Sequence, residues 1–286
     1  MEDTLKHLKD ITNKLSDLPT LPTVVSQITQ LMQNPRTSAA EVGEAITTDQ
    51  SLTSKTLKLV NSAFYGFPGR IKTITHAIVI LGFTTVKNIV LTASILNVIG
   101  KTGKSKEFDQ EAFWLHSVST GAIAKVLAEL YKHKISEEAF IGGLLHDLGK
   151  VIINHCVVDL FEEVLIYRDK HNCLLKDAEK GVLKVTHQEI GSWVAERWKL
   201  PSNLTAVIQY HHNPELAGDY KEITGLVHLA DIFARALGSG SGGDNSIPIV
   251  SETIWNDMNF NSIDLPKFLE RAEDEITKAS IFLQAI

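Results

Sequence analysis

The segment Phe140-Ile-Gly-Gly-Leu-Leu-His-Asp-Leu-Gly-Lys150 constrains this chain more than any other. It sets an imidazole, a carboxylate and an ammonium (His146, Asp147 and Lys150) into an apolar run with helical character. Burying such groups is costly unless something pairs them. The fold must therefore close them on one another or around a metal ion.

Further candidate donors lie in four other segments of the second half: His116, His187, His211-His212 and Asp231. Imidazole with carboxylate is a ligand set for zinc, iron, manganese or nickel. Seven donors exceed the needs of one tetrahedral ion. They suit two ions bridged by a carboxylate, with Asp147 as the candidate bridge. Adjacent residues do not share a helix face, so His146 and Asp147 can splay towards neighbouring ions. Two divalent ions against two aspartates leave the site cationic, a local trap for phosphate that Lys150 strengthens. Ions roughly 3.5–4 Å apart can activate water and hold both oxygens of an in-line displacement.

The plainer readings stand beside this one. Each histidine taken singly fits a hydrogen-bonded core side chain, and Lys150 fits a solvated lysine after a helix stop at Gly149. His211-His212 fits a helix C-terminus favoured by its dipole. His228, nearly one turn before Asp231, fits a support behind the ligands. His7, His76, His133, His155 and His171 fit solvated or locally bonded side chains.

Helical periodicity runs through almost the whole chain, and no stretch alternates convincingly as a strand. The pattern predicts an all-α fold with helices over 2–16, from Val24 to Met32, and on from Ser38 and Asp49. Further helices are predicted over 73–81, 84–98, 108–132, 137–148, 157–171, 174–182 and 187–198. The last follow from Pro201 to about 210 and over 220–237, 249–257 and 264–284. Ser38 with Glu41, and Thr186 with Glu189, have capping-box spacing. Gly100-Lys-Thr-Gly-Lys-Ser-Lys106 fits a linker, dividing the chain into subdomains 1–107 and 108–286. It lacks phosphate-loop spacing. Gly238-Ser-Gly-Ser-Gly-Gly243 fits a flexible loop.

A formal net charge of -6 over 286 residues argues against a broad basic face for nucleic acid. Cys156 and Cys173 form no CxxC pair and fit free thiols. The acidic start and the short apolar runs predict a cytoplasmic chain with no membrane span.

At this point the chain resembles a known family. Residues 140–235 are similar to the HD superfamily of metal-dependent phosphohydrolases. The order His116, His146-Asp147, His187, His211-His212, Asp231 resembles the ligand order of its HD-GYP phosphodiesterase branch. Residues 17–100 resemble the HDOD family. The matching positions are Leu18-Pro-Thr-Leu-Pro22, Asp49 to Leu52, Leu57-Lys-Leu-Val-Asn-Ser-Ala-Phe-Tyr-Gly66, Ile74, Ala77-Ile78 and Leu81-Gly82.

The resemblance implies two helical subdomains, the C-terminal one an HD-type bundle, and a bacterial signal-transduction role. It implies metal at the seven donors, as two divalent transition-metal ions with iron ahead of manganese, zinc or nickel. The implied partners are signalling proteins (a sensor kinase, response regulator or cyclic-dinucleotide enzyme) and a phosphate-containing small ligand. The alternative it implies is a phosphohydrolase acting on a nucleotide or cyclic dinucleotide, with Asp147 and Lys150 in catalytic roles.

Two departures bear on that alternative, and a third, at Gln50, has no obvious chemical consequence. No Gly-Tyr-Pro follows the double histidine. Ala112 stands where some relatives place a glutamate ligand. Gln50 replaces a proline. Phe64, Tyr65 and Phe67 fit a packed corner between subdomains, or else a docking surface.

Overall fold

The structure, a computed structural model, describes residues 18, 20–21, 23–34, 36–67, 69–99, 105–131 and 134–285. The expected lead-in helix over 2–16, most of the linker 100–106, and His7 and His133 lie outside them. Among the described residues all regular secondary structure is helical. No helix among them is long and apolar enough to cross a membrane.

The described residues fall into two units, one drawn from 19–101 with 277–286, the other from 102–276. The first contains α1 (Thr23–Gln33), α2 (Ala39–Thr47), α3 (Gln50–Val60), α4 (Ile74–Leu81) and α5 (Phe83–Ile99). Ser38 and Glu41 form the expected capping box, and Asp49 caps α3 through the Leu52 amide. Such caps contribute about 1 kcal/mol each. Val42, Ile46, Leu59, Val60, Ala77 and Val86 are fully buried in this unit. Asn61 closes the turn after α3. Its amide group donates to the Ile71 carbonyl at 2.7 Å, and its carbonyl accepts from the Ile71 amide at 2.9 Å. Phe64 is buried, edge-on to Tyr65 and Phe282. The Asn-Ser-Ala-Phe-Tyr block is thus a packed, hydrogen-bonded corner of this unit.

The second unit holds α6 (Gln110–Leu130), α7 (Ser136–Leu145), α8 (Leu148–Cys156), α9 (Val158–His171), α10 (Leu175–Val182), α11 (His187–Arg197), α12 (Ser202–Tyr210), α13 (Lys221–Ala236) and α14 (Glu252–Asp257). Most of α15 (Leu265–Ala279) belongs to it too. Its core joins Ile123 and Leu127 of α6, Val207 of α12, Leu226, Val227 and Ala230 of α13, and Phe268 of α15.

Two close helix contacts depend on glycine. A Cβ on Gly143 would lie 2.7 Å from the Gly121 Cα, and a Cβ on Gly149 would lie 1.8 Å from the His187 carbonyl oxygen. Backbones therefore meet where α6 passes α7 and where α8 passes α11. These contacts draw His116, His146 and His187 towards one place.

One sequence expectation is corrected here. The helix expected over 137–148 ends at Leu145, and a second helix, α8, follows over Leu148–Cys156 where none was expected, so Gly149 lies inside a helix rather than stopping one. Lys150 is consequently 1% exposed, not solvated. The Gly149 contact explains why the helix continues: the glycine is there for close packing, not for a turn.

Candidate metal centre

All seven sequence-picked donors converge. His116 comes from the middle of α6 and Asp231 from the middle of α13. His146 and Asp147 sit at the α7–α8 break. His187 opens α11, and His211-His212 follow α12. All except His212 are at most 1% exposed, and His212 is half-buried.

The ligating atoms form groups. Those of His187, His211 and His212 lie within 4.8 Å of one another, as do those of His116, His146 and Asp231. Asp147 lies between the two groups. Its Oδ1 is 3.2 Å from His187 Nε2 and 3.6 Å from His211 Nε2. Its Oδ2 is 3.1 Å from His146 Nε2 and 3.9 Å from His116 Nε2. Each carboxylate oxygen thus faces a different histidine group.

On three of the rings the outer side fixes where the proton sits, whereas His116 Nδ1 and His212 Nδ1 have no hydrogen-bond partner among the described residues. His146 Nδ1 donates to the Gly143 carbonyl at 2.6 Å. His211 Nδ1 donates to the Ile208 and Val207 carbonyls at 3.1 and 3.2 Å. Those carbonyls lie in the last turns of α7 and α12, and that of Val207 also accepts the His211 backbone amide at 3.0 Å. His187 Nδ1 donates to Glu179 Oε2 at 2.7 Å, and the same oxygen accepts the His187 backbone amide at 2.8 Å. Carbonyls and carboxylates only accept, so each of these Nδ1 atoms carries a proton. In the neutral rings Nε2 is then a bare lone pair.

Those lone pairs face one another and the Asp147 carboxylate. His187 Nε2 lies 3.3 Å from His211 Nε2. His116 Nε2, His146 Nε2 and Asp147 Oδ1 have no hydrogen-bond partner among the described residues. Acceptors crowded at 3.1–3.3 Å without a proton between them repel. A cation among them removes the repulsion, and the outer Nδ1–H bonds to carbonyl and carboxylate are the usual companions of metal-bound histidine. The residues present therefore fit metal ions. His228 differs: it donates to the His211 carbonyl at 2.8 Å and accepts from the Ser251 amide at 3.0 Å, so both nitrogens are used behind the ligands.

Electrostatics keep most of these groups ready to ligate. Burial, reinforced by neighbouring histidines, holds His211 and His212 well below the usual imidazole range. Burial also lowers His116, against the opposing pull of Asp231. Burial would raise both aspartates. For Asp147, His146 and Lys150 outweigh it; for Asp231, Arg235 and His116 do, and both carboxyls stay well below their ordinary value. His146 moves the other way: burial pushes it down, but Asp147 prevails and raises it.

Lys150, singled out in the sequence, is held at the site, and several residues beside it went unmarked. Lys150 Nζ donates to Asp147 Oδ2 at 2.6 Å and to the Gly242 carbonyl at 2.7 Å. Arg235 Nε donates to Asp231 Oδ1 at 2.9 Å, and its Nη1 to Asp244 Oδ1 at 3.0 Å. Arg235 stands four residues after Asp231, a helix spacing that was legible. Glu179 and Asp244 carry no such signal, because they arrive from α10 and from a loop. The glycine-rich segment expected to be flexible is docked: Ser241 donates its amide to the Ala112 carbonyl at 2.9 Å.

Residues 18–214 match the HDOD domain. An uncharacterised protein of Treponema pallidum (strain Nichols) is 27% identical over 236 residues, covering 82% of this chain and 45% of that protein. The chain spans about half the length of the curated relative it matches. A solved HDOD domain protein of unknown function from Geobacter sulfurreducens is 26% identical, with a TM-score of 0.78 over 96% of this chain and 97% of that one. A candidate phosphohydrolase from Shewanella amazonensis SB2B is 23% identical, with a TM-score of 0.74 over 96% and 97%. At that identity the likeness is one of fold.

Proposed function

Since the chain belongs to the HDOD domain family, we propose that it is a bacterial signalling protein acting by protein or ligand contact, with a dinuclear metal centre in its HD-like half. The crowded Nε2 lone pairs around Asp147 carry this reading. His187, His211 and His212 with Oδ1 of Asp147 would hold one ion. His116, His146 and Asp231 with Oδ2 would hold the other. Iron is the first candidate, then manganese, zinc or nickel. Bound ions supply concentrated positive charge and Lewis acidity.

The chain's own residues set what that charge can do. Lys150 and Arg235 offset the two aspartates, and burial excludes bulk water from the donors. A centre so enclosed suits holding a conformation or sensing a small phosphate ligand. Its output would pass to a sensor kinase, response regulator or cyclic-dinucleotide enzyme in the cytoplasm.

The second reading, a phosphohydrolase, is favoured by one observation: the Lys150 ammonium is buried against Asp147. There it could neutralise charge developing on a phosphoryl oxygen. Metal analysis with turnover assays on cyclic and linear nucleotides, for the wild type and Asp147→Ala, separates the readings. About two ions per chain without turnover supports the signalling reading. Turnover that Asp147→Ala abolishes sinks it in favour of hydrolysis. A chain that retains no transition metal, and is no less stable as His146→Ala, overturns the metal centre.

A further inference from the structure

The loop between α13 and α14 covers the centre through oxygens. The Gly242 carbonyl accepts from Lys150 Nζ at 2.7 Å. The Gly243 carbonyl accepts from Arg168 Nη1. Arg235 Nη1 donates to Asp244 Oδ1 at 3.0 Å and to the Ser246 carbonyl at 3.1 Å. Three cations from α8, α9 and α13 thus converge on four oxygens of one short segment. Two of them also touch the carboxylates of the metal centre, Lys150 at Asp147 and Arg235 at Asp231. Arg168 is steadied by its neighbour Asp169 through Nε and Nη2, which leaves Nη1 for the loop.

At Gly240 nothing larger than glycine fits beneath the loop, because the clash is with backbone. A Cβ on Gly240 would lie 2.2 Å from the Ala112 carbonyl oxygen and 2.4 Å from the His116 amide nitrogen. A Cβ on Gly242 would lie 2.3 Å from Arg235 Nη2. The loop backbone is therefore pressed directly onto the cations and onto the helix that carries His116. Guanidinium and ammonium groups arranged around several oxygens form the recognition set for a phosphoryl group.

We infer that residues 241–246 are a built-in occupant of a phosphoryl site formed by Lys150, Arg168 and Arg235, and that a phosphate-bearing ligand opens the centre by displacing them. When the loop leaves, Lys150 and Arg235 keep Asp147 and Asp231 and Arg168 keeps Asp169, while the N–H groups that held the loop oxygens are freed for an anion. The step is an exchange of hydrogen-bond partners, with no covalent change. It deepens the signalling reading, on which its biological meaning rests: ligand binding becomes a loop movement that a partner can detect.

Hydrogen exchange at 241–246, with calorimetry, tests this with inorganic phosphate and with a dinucleotide phosphodiester as separate arms. Phosphate is expected to speed exchange of these loop amides about tenfold while the helices stay protected. Asp244→Asn, which weakens the loop's hold, should tighten phosphate binding about tenfold. Arg168→Gln should also loosen the loop yet weaken phosphate binding, an opposition that simple loosening does not produce. Response to the diester alone would assign the site to diester ligands, and response to both to the phosphoryl group in general; each supports the inference. No binding of either at millimolar concentration, or binding without change in loop exchange, overturns it. Should a variant fail to fold, the wild-type titration decides. Each titration is run with metal loaded and after chelation. Full metal content with no anion response sinks this inference alone. Loop opening by phosphate in a chain that never retains metal sinks the metal centre alone.

Discussion

The two ends of the candidate centre are built differently. The His187, His211 and His212 end has three imidazoles and, among the described residues, no cation touching them. Glu179 and helix-end carbonyls hold two of those rings from behind. The His116, His146 and Asp231 end has Arg235 on Asp231 and Lys150 on the Asp147 oxygen that faces it. Both ends leave imidazole nitrogens crowded against acceptors, which a metal would relieve. Only the second already balances its carboxylates with protein cations, which a metal must oppose. The difference teaches that a symmetric-looking ligand list can hide unequal sites. The first ion should enter the three-histidine end, and the second should bind more weakly.

The largest expected effect concerns the contact that assembles the three-histidine end. Gly149→Ala places a Cβ 1.8 Å from the His187 carbonyl oxygen. It should destabilise the fold by more than about 3 kcal/mol or displace α11. Thermal denaturation and metal content would read this; a Tm near wild type with both ions retained would break the account of how that end forms.

Arg235→Met comes next. It leaves Asp231 buried without its cation, a loss of about 3–5 kcal/mol in the metal-free protein. The same change removes the charge opposing the weaker ion, so added metal should raise the Tm of this variant more than that of the wild type. An equal metal-induced shift in both proteins would remove the distinction between the ends.

Glu179→Gln should lower metal affinity about 10–100-fold at the three-histidine end alone, because Glu179 orients the His187 ring and fixes its tautomer. Stepwise titration followed by calorimetry would show the strong step weakened and the weak step unchanged. If both steps weaken together, the ends are coupled rather than distinct.

The pH dependence is gentler. His116, His211 and His212 are held below their ordinary value of 6.5, chiefly by burial. The unfolded chain therefore binds protons on these rings at a pH where the fold refuses them. Stability of the metal-free protein is full above about pH 6.5 and falls as pH drops below it. His146, raised by Asp147, works in the opposite direction and blunts the slope. Denaturant midpoints between pH 5 and 8 should rise with pH; a flat or inverted profile would show that the His146–Asp147 pair dominates.

The helices were largely legible because apolar spacing and caps are local. Thr186 with Glu189 marked the start of α11, and Ser38 with Glu41 that of α2. The helix α8 was not, since Gly149 looks like a stop until the His187 backbone is seen against it. The donors were legible by type and order. Their supports were legible only where helix spacing links them, as for Arg235, and not where a loop or another helix delivers them, as for Asp244 and Glu179.

The sequence by itself determined that an imidazole and a carboxylate would be buried together among helices, because the apolar residues around His146-Asp147 leave no other place for them. Only the tertiary structure decided which oxygen of Asp147 faces which histidines, where His146, His187 and His211 keep their protons, and that a glycine-rich loop presses on the cations beside them. Those outcomes depend on backbones meeting at Gly149 and Gly240, and contact between distant segments has no local signature in the chain.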